Sequence, residues 1–468
     1  MCEESGSTKE KGMSGMRDKM VIGRERLLFT NKALAALILP LIVEQFLAVL
    51  VGMADSVMVA SVGEAAVSGV SLVDNIMILF TNLFAALATG GAVIAGQYLG
   101  QKNGKLASRA ATQLIWFTMI LAVVIMAVIY CGKWFILHVV FGEINADVMG
   151  HANTYLVIVT ASIPFIALYN AGAAVFRAMG NSKVSMQVAM IMNVVNVAGN
   201  AILIYGFRRG TEGVAIPTLV SRITAAVLIL VLLSKKENVI HMEKTLRFRP
   251  DWIMVKRILG IGIPNGLENS MFQLGKIIVL SLVSTFGTYA IAANAVCNAV
   301  ANFQVLPGMA INLAITAVIA RCVGAGDYEQ AEYFTKKLIR LVYLCMWIIN
   351  IIVLCLMPLV LWAYNLSDIT AQTARSVLYF HSVSACLVWP VSFSIPSVLR
   401  AAGDAKVTMV ISLASMWIFR IIFSYVLGGW LGLGVFGVWI AMVIDWCVRA
   451  VCMTLRYKKG KWKEIHSI

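Results

Sequence analysis

The sequence predicts an all-α integral membrane protein with twelve transmembrane helices in two six-helix, pseudo-symmetric lobes. Three observations predict this fold class: an apolar composition, apolar runs of membrane-spanning length, and an internal repeat. Of the 468 residues, 60% are hydrophobic and 13% are charged, and the mean hydropathy is +0.85. Soluble domains are about one quarter charged, so a water-soluble fold could not cover this much apolar surface. A lipid bilayer removes the conflict because apolar side chains can face it.

The net charge of +15 is distributed in a way that argues against a nucleic-acid partner. Lys and Arg residues lie at the ends of the apolar runs, and not in one patch with interleaved aromatic residues. This is the distribution of loops that face the anionic lipids of the cytoplasmic leaflet. The nine cysteines lie almost all inside apolar runs, without a CxxC spacing or a Cys/His cluster. They indicate core packing in a reducing compartment, and we expect no cofactor.

Apolar runs long enough to cross a bilayer recur about every 35 to 40 residues. The predicted spans are 33–61, 68–98, 110–141, 152–178, 183–206, 212–234, 253–284, 290–320, 333–363, 374–399, 406–428 and 433–456. The polar stretch before the first span lacks the apolar segment of a signal peptide, so we expect a flexible cytoplasmic tail there.

Basic residues set the predicted orientation. About thirty of the 38 Lys and Arg fall on one side of the predicted spans, with Arg208 and Arg209 as the clearest exceptions. The positive-inside rule then places both termini and the central link in the cytoplasm, in a multi-pass protein of the cell inner (plasma) membrane. An even number of spans is required, and twelve satisfies it.

The second half of the chain repeats the first at a nearly constant shift in numbering. PLIVE aligns with PNGLE, VIAGQYLG with VIARCVG, and VFRAMGNSKVSM with VLRAAGDAKVTM. We call this shift, which carries Pro40 onto Pro264 and Gly100 onto Gly324, the repeat shift. Six spans per half give the two halves the same orientation, and secondary transporters built in this way hold their substrate between the halves. A duplication that only enlarged a membrane domain is the alternative.

The repeat and the charged link between its copies divide the chain into predicted domains. These are a flexible tail at 1–31, an N-lobe at 32–234, a cytoplasmic linker at 235–252, a C-lobe at 253–458 and a basic tail at 459–468.

Charged residues inside the predicted spans need a reason, because each costs about 2.5–3.5 kcal/mol on insertion scales. Asp55 lies in the largely apolar run 46–62, and Glu44 lies three helical turns earlier on nearly the same face. Burial favours the protonated form of a carboxylate and a bound cation favours the ionised form. Such a group can exchange a proton for a metal ion or an organic cation, or it can simply be satisfied by neighbouring helices.

Asn193, Asn196 and Asn200 form one stripe of the fifth predicted helix. Their amide oxygens suit a hard cation such as Na⁺, but the same stripe could bond helices together.

Further candidates lie in both lobes. The seventh span carries Glu268, Gln273 and Lys276, and the lysine could titrate, pair with an acid, repel cations or reach water. We assign Arg222, Arg420 and the pair Asp445–Arg449 to structural roles. Asp445 and Arg449 are four residues apart on one helical face, so they can pair with each other. Candidate hinges are Pro164, Pro217, Pro390 and Pro396.

The order and spacing of these motifs resemble the multidrug and toxic compound extrusion (MATE) family of cation-coupled efflux transporters, from about residue 30 to 460. The segments that carry the resemblance are LPLIVEQFLAVLVGMADSVMVASVG, RAMGNSK, RAAGDAK, NVVNVAGNAILIYG and GVAIPTLVSR. The resemblance implies two lobes around a V-shaped cavity and a cation-coupling or Na⁺ site at Asp55, Asn196, Asn200 and Thr218. Many relatives carry a second acid where this chain has Asn200, which leaves the choice of H⁺ or Na⁺ open. The possible secondary residues are Glu44, Asn193, Glu268, Gln273 and Lys276.

We therefore expect a secondary active exporter that exchanges H⁺ or Na⁺ for small, mostly cationic organic compounds by alternating access. Its expected partners are that substrate and the bilayer, and the protein is expected to be a monomer. A flippase or exporter of lipid-linked or peptide substrates in the same superfamily is the alternative. An enzyme is disfavoured because the sequence has no HExxH motif, no paired acidic motif and no phosphate-binding GxxxxGK[ST] loop.

Overall fold

The structure is a computed structural model that describes residues 27–142, 144–242, 250–364 and 366–465. Within these residues the secondary structure consists of helices joined by short turns. Most of the predicted N-terminal tail, the basic centre of the linker (243–249) and the end of the basic C-terminal tail (466–468) lie outside the described residues.

Within the described ranges, seven main helices form each half. In the first half they are α1 (Asn31–Ala60), α2 (Glu64–Gly100), α3 (Gly104–Cys131), α4 (Ala146–Thr160), α5 (Ile163–Ala178), α6 (Ser182–Ala201) and α7 (Glu212–Leu233). In the second half they are α8 (Trp252–Ser284), α9 (Thr288–Gly324), α10 (Tyr328–Ala363), α11 (Asp368–Leu387), α12 (Trp389–Ala401), α13 (Ala405–Ser415) and α14 (Gly434–Lys458). Short segments follow α3 (Lys133–Phe135 and the π-helix Ile136–Val140) and α14 (the 3₁₀ helix Lys461–Glu464).

The helix bounds repeat as the sequence predicts. Helices α2 and α9 both begin and end at positions related by the repeat shift, and each follows a glycine with a positive φ, Gly63 at 142° and Gly287 at 106°. Both halves also contain a π-helical stretch near the end of the next-to-last span. It covers Ile202–Gly206 after α6, and Met416–Ile422 with Ser424–Trp430 after α13.

Eleven spans pass a test of length and apolar composition within the described residues. Nine are single helices, and two are bent pairs, α4–α5 with a bend of 48° and α11–α12 with a bend of 46°. The twelfth predicted span is α8, a helix of 33 residues. Its apolar run is interrupted by the polar residues Asn265, Glu268, Gln273 and Lys276, which explains why it stands apart from the others.

Polar side chains begin several helices at one end of the bundle. Thr30 accepts a hydrogen bond from the backbone N–H of Ala33 at 3.2 Å, and Asp251 accepts one from Met254 at 3.2 Å. Asn103 and Asp327 cap α3 and α10 in the same way. These caps satisfy backbone donors that a helix leaves free at its first turn.

The two lobes contact each other at this same end, which we call the joined end. It contains the first turns of α1, α8 and α10 and the last turns of α2, α9 and α12. Arg257 of α8 donates to the hydroxyl of Tyr98 in α2, and the Gln97 side chain donates to the carbonyl oxygen of Ala401 at 3.0 Å. At the opposite end, which we call the open end, no hydrogen bond or ion pair links the lobes in the described ranges.

Glycines allow α2 and α9 to cross closely at the joined end. A Cβ atom on Gly100 would collide with the carbonyl oxygen of Arg321, and one on Gly324 would collide with that of Gln97. Nearer the middle, the rings of Phe46 and Phe303 meet with centroids 5.8 Å apart. The lobes therefore touch along one half of their length.

Candidate coupling site

Helices α1, α6 and α7 bring four polar side chains together inside the N-lobe. The amide nitrogen of Asn200 donates to Asp55 Oδ1 at 2.8 Å. The amide of Asn196 lies 3.1 Å from Thr218 Oγ1 on one side. On its other side it lies 2.9 and 3.1 Å from the two carboxylate oxygens of Asp55. Asp55, Asn196, Asn200 and Thr218, the residues that the resemblance implies, thus form one group, which we call the N-lobe cluster.

Local sequence explains this arrangement. Asn196 and Asn200 are four residues apart, so their side chains project from one face of α6. Gly199 lets α7 approach, because a Cβ there would lie 2.7 Å from the Pro217 ring. The π-helical segment Ile202–Gly206 begins two residues after Asn200, and such segments occur frequently at functional sites.

We add a second carboxylate, Asp74 of α2, to the N-lobe cluster, although the sequence analysis does not name it as a candidate. Tyr155 of α4 donates its hydroxyl to Asp74 Oδ1 at 2.9 Å. The charge of Asp74 acts on Asp55, and the charge of Arg222 acts on both carboxylates. The signal that selects Asp55, a lone acid in an apolar run, would also have found Asp74.

Arg222 of α7 completes the cluster, although the sequence analysis gives it a structural role. Its Nη1 donates to Ser162 Oγ at 2.7 Å, and Ser162 is the residue just before α5, at the bend after α4. The cluster thus contains two carboxylates and one guanidinium. Asn200 and Ser162 are fully buried and Asn196 and Thr218 nearly so, so charge interactions here are weakly screened by water.

The two glutamates named as secondary candidates lie in ion pairs outside the N-lobe cluster. Arg177 Nη1 is 3.4 Å from Glu44 Oε1, and Ser185 donates to Glu44 Oε2 at 2.9 Å. In the C-lobe, Arg400 Nη1 is 3.1 Å from Glu268 Oε2. Each pair joins the first helix of its lobe to the arginine of the RAMGNSK or RAAGDAK segment.

The other candidates are placed as follows. Asn193 and Gln273 are half-buried and make no hydrogen bond within the described ranges, while the Lys276 side chain is exposed and forms no ion pair there. The predicted pair Asp445–Arg449 is confirmed, with Arg449 Nη2 3.8 Å from Asp445 Oδ2 and both side chains buried. In the part of the chain that the structure describes, no three His, Cys, Asp or Glu side chains group to hold a metal ion.

A family model described as MatE matches residues 40–202 and, again, residues 264–426. The chain belongs to the MatE family. The two matches are related by the repeat shift, which also relates the ends of α2 to those of α9. Each lobe of this MatE protein therefore holds one copy of the family's repeating unit.

Relatives of this MatE protein match along almost its full length. The transporter YisQ of Bacillus subtilis (strain 168) is 26% identical over 447 residues, which cover 92% of this chain and 94% of that protein. The probable multidrug resistance protein NorM of Thermotoga maritima is 24% identical over 457 residues, with 95% and 96% covered.

A solved structure has the same fold. It is the outward-facing conformation of a multidrug resistance MATE family transporter of the MOP superfamily, with a TM-score of 0.86 and 20% identity. The match covers 93% of this chain and 97% of that one. The family and the fold are those of membrane transporters rather than enzymes.

Proposed function

We propose that this MatE protein is a secondary active exporter that exchanges H⁺ or Na⁺ for small, mostly cationic organic compounds by alternating access. The observation that carries the proposal is the position of the Asn196 amide, which contacts Asp55 on one side and Thr218 on the other. Because an amide carries a donor at one end and an acceptor at the other, Asn196 can suit either protonation state of Asp55.

With Asp55 ionised, the Asn196 nitrogen donates to both carboxylate oxygens and the Asn196 oxygen accepts from the Thr218 hydroxyl. With Asp55 protonated, its hydroxyl donates to the Asn196 oxygen and the Asn196 nitrogen donates to Thr218 Oγ1. The Thr218 hydroxyl is then free to donate to the carbonyl oxygen of Val214, which lies 2.9 Å away. Each protonation state thus leaves the Asn196 amide and the Thr218 hydroxyl paired across α1, α6 and α7. Asp55 can therefore take up and release a proton without leaving these buried groups unpaired, as a proton-coupled site requires.

Na⁺ is the second candidate for the coupling ion, and one further contact favours it. Asn200 Oδ1 is buried and has no hydrogen-bond donor within the described residues. An unpaired buried oxygen next to a carboxylate is a fitting ligand for a hard cation. In this arrangement Asp55, Asn196, Asn200 and Thr218 would supply the oxygen atoms.

We place the joined end of the bundle in the cytoplasm and the open end outside. The support is the positive-inside rule, since basic residues such as Arg109, Lys256 and Arg257 flank the helix ends there. Asp55 lies five residues from the end of α1 at the open end. The N-lobe cluster would then be reached from the outside in this conformation, where an inward-moving H⁺ or Na⁺ must bind.

The test is export of a fluorescent organic cation by everted membrane vesicles, with H⁺ and Na⁺ gradients imposed separately. We expect one gradient to drive export, and Asp55→Asn to abolish the driven component because the variant cannot exchange a proton or hold the same ion. A matched control is Asp147→Asn, which changes an exposed aspartate in the first turn of α4. Driven export by Asp55→Asn at the rate of the unchanged protein would contradict the assignment of Asp55.

A further inference from the structure

We propose that the C-lobe binds a negatively charged oxyanion, such as a carboxylate, on the transported compound, and that Lys276 and Arg420 provide the charge. The inference rests on the proposed export of small organic compounds and adds a feature of their chemistry. A substrate that meets acids in the N-lobe and cations in the C-lobe would carry both charges.

The two lobes differ in charge at related positions. Under the repeat shift, which also separates the two family matches, Asp55 of the N-lobe corresponds to Val279 and Asp74 corresponds to Asn298. Both carboxylates of the N-lobe cluster are therefore absent from the related place in the C-lobe.

Instead, the C-lobe has cationic residues at positions that correspond to other residues of the same N-lobe helices. Under the same shift Gly52 corresponds to Lys276, and Asn196 corresponds to Arg420. Arg420 lies in the π-helical segment Met416–Ile422, as the N-lobe amides lie beside the π-helical segment of their own lobe. Since the repeat aligns these helices, the C-lobe has a site of similar position and opposite charge.

One carboxylate, Asp445, acts on Arg420 and lies 3.8 Å from Arg449. Arg449 is buried between the rings of Phe272 and Phe393, at 5.0 and 4.1 Å from their centroids, and its Nε donates to Ser392 Oγ at 3.1 Å. Asp445 Oδ1 accepts from the Ser415 hydroxyl at 2.5 Å. The three cations Lys276, Arg420 and Arg449 thus share this carboxylate, which leaves two positive charges uncompensated.

Lys276 and Arg420 have unused hydrogen-bonding capacity. Neither forms an ion pair in the described part of the chain, and the buried Nε of Arg420 has no acceptor there. Gly275, next to Lys276, lies against Met416 and Ile421 of the π-helical segment that holds Arg420, and the two cations repel each other. Two unpaired like charges within a membrane span are costly, and an oxyanion between them would offset that cost through charge-assisted hydrogen bonds.

The Lys276 side chain is also placed where a substrate could reach it. On α8 the exposed apolar residues Ile263, Leu267, Leu274 and Ile277 form one stripe, and Lys276 lies roughly 140° around the helix from it. Leu280, which is also exposed, lies one turn after Lys276, so the exposed side chain of Lys276 is at one edge of the apolar surface of α8. The related N-lobe position, Gly52, has no atom within 4 Å of where a Cβ would lie, so the corresponding space there is open as well.

The experiment compares two dyes that differ in one carboxylate. Rhodamine B is a zwitterion at neutral pH, and its ethyl ester carries the same cationic ring system without the negative charge. We would measure equilibrium binding of both dyes to the purified full-length protein by fluorescence anisotropy. This readout needs no ion gradient, so its result is independent of whether Asp55 couples an ion to export.

We expect the unchanged protein to bind rhodamine B more tightly than the ester. Lys276→Gln, and Arg420→Asn, which copies the N-lobe residue, should each reduce that preference at least about tenfold, the effect of losing one charge-assisted hydrogen bond. Affinity for the ester should stay within about twofold in both variants, which also shows that they are folded. The matched control Lys256→Gln removes an exposed lysine from the other end of α8 and should keep the preference.

Three results would overturn the proposal. The first is an unchanged protein that binds the ester as well as the zwitterion, or binds neither dye. The second is a preference that survives Lys276→Gln, which would mean that the lysine reaches water without contacting the ligand. The third is an equal loss in Lys256→Gln, which would show a general effect of net charge. If Arg420→Asn does not fold, the exposed residue Lys276 decides the question alone, with Lys276→Arg expected to retain the preference.

Discussion

Glu44 and Glu268 occupy the same place in the two lobes, and their surroundings indicate a structural role. Each is largely buried and contacts an arginine, Arg177 or Arg400, at the joined end of its lobe. A carboxylate that couples ion movement must exchange partners during transport, whereas in this conformation each of these two is paired with a residue of opposite charge. The pairs hold the first helix of each lobe to the last turn of α5 or α12.

Glu44→Gln should therefore lower stability and leave ion coupling intact. The change leaves the Arg177 guanidinium without its anion in a largely buried position, which costs roughly 1–3 kcal/mol. We expect a lower melting temperature of the purified protein, and gradient-driven export per folded molecule close to that of the unchanged protein. Glu268→Gln should behave in the same way in the C-lobe. The double variant Glu44→Gln/Arg177→Gln should be less destabilised than the sum of its single changes, and loss of gradient dependence in Glu44→Gln would instead give it a coupling role.

Residues on one helix were accessible to sequence reasoning, and partners on other helices were not. The spacing of Asn196 and Asn200 shows that they share a face, and the lone charge of Asp55 marks it as unusual. Nothing in the sequence places Asp74 or Tyr155 beside them, because helical periodicity gives the facing of each helix but not its neighbours. The same limit explains why the sequence indicates only a structural role for Arg222 and leaves several roles open for Lys276.

At the scale of helices, the bends and π-helical segments position the polar groups. The candidate hinge residues Pro164 and Pro390 lie in the first turns of α5 and α12, directly after the breaks of 48° and 46°. Two of the four candidate hinges thus mark where a span changes direction, because proline is favoured in the first turn of a helix, whereas Pro217 and Pro396 lie inside α7 and α12. The sequence did not predict that the first bend places Ser162 beside Arg222, whose guanidinium donates a hydrogen bond to the Ser162 hydroxyl.

Ser162→Ala tests whether the bend supports the N-lobe cluster. The change removes the acceptor of Arg222 Nη1 in a fully buried position, which costs about 1–3 kcal/mol. We expect a lower melting temperature together with slower gradient-driven export, because Arg222 is then free to shift toward Asp55 and Asp74. Ser284→Ala, which removes an exposed hydroxyl at the end of α8, is the matched control and should change neither quantity. A Ser162→Ala protein with unchanged stability and export would show that the bend does not support Arg222.

At the scale of the whole molecule, the internal repeat was predictable and the contact between the lobes was not. The repeat shift is visible in the sequence, and it defines two similar lobes. Which helices cross, and at which end, depends on close approach of backbone at Gly100 and Gly324. These are two among 36 glycines, and the sequence does not distinguish them from glycines that face open space. The conformation in which the described parts of the lobes meet along the half that includes the joined end therefore comes from the structure alone.

Alternating access requires the joined end to separate, and Gly100→Leu should shift the protein toward that state. A leucine side chain cannot fit against the Arg321 carbonyl oxygen, so the joined conformation loses stability relative to the separated one. The measurement is cross-linking by a short bis-maleimide between Tyr98→Cys and Arg257→Cys, whose native side chains contact each other across the lobes, in a background without other cysteines. We expect Gly100→Leu to lower the cross-linking yield severalfold and to reduce export, with Gly324→Leu giving the same result.

Gly150→Leu, at a helical glycine with no atom near its Cβ position, should leave both the cross-linking yield and export unchanged. Because a transporter held in either state cannot complete its cycle, full export by Gly100→Leu at an unchanged cross-linking yield would mean that the crossing of α2 and α9 does not control access.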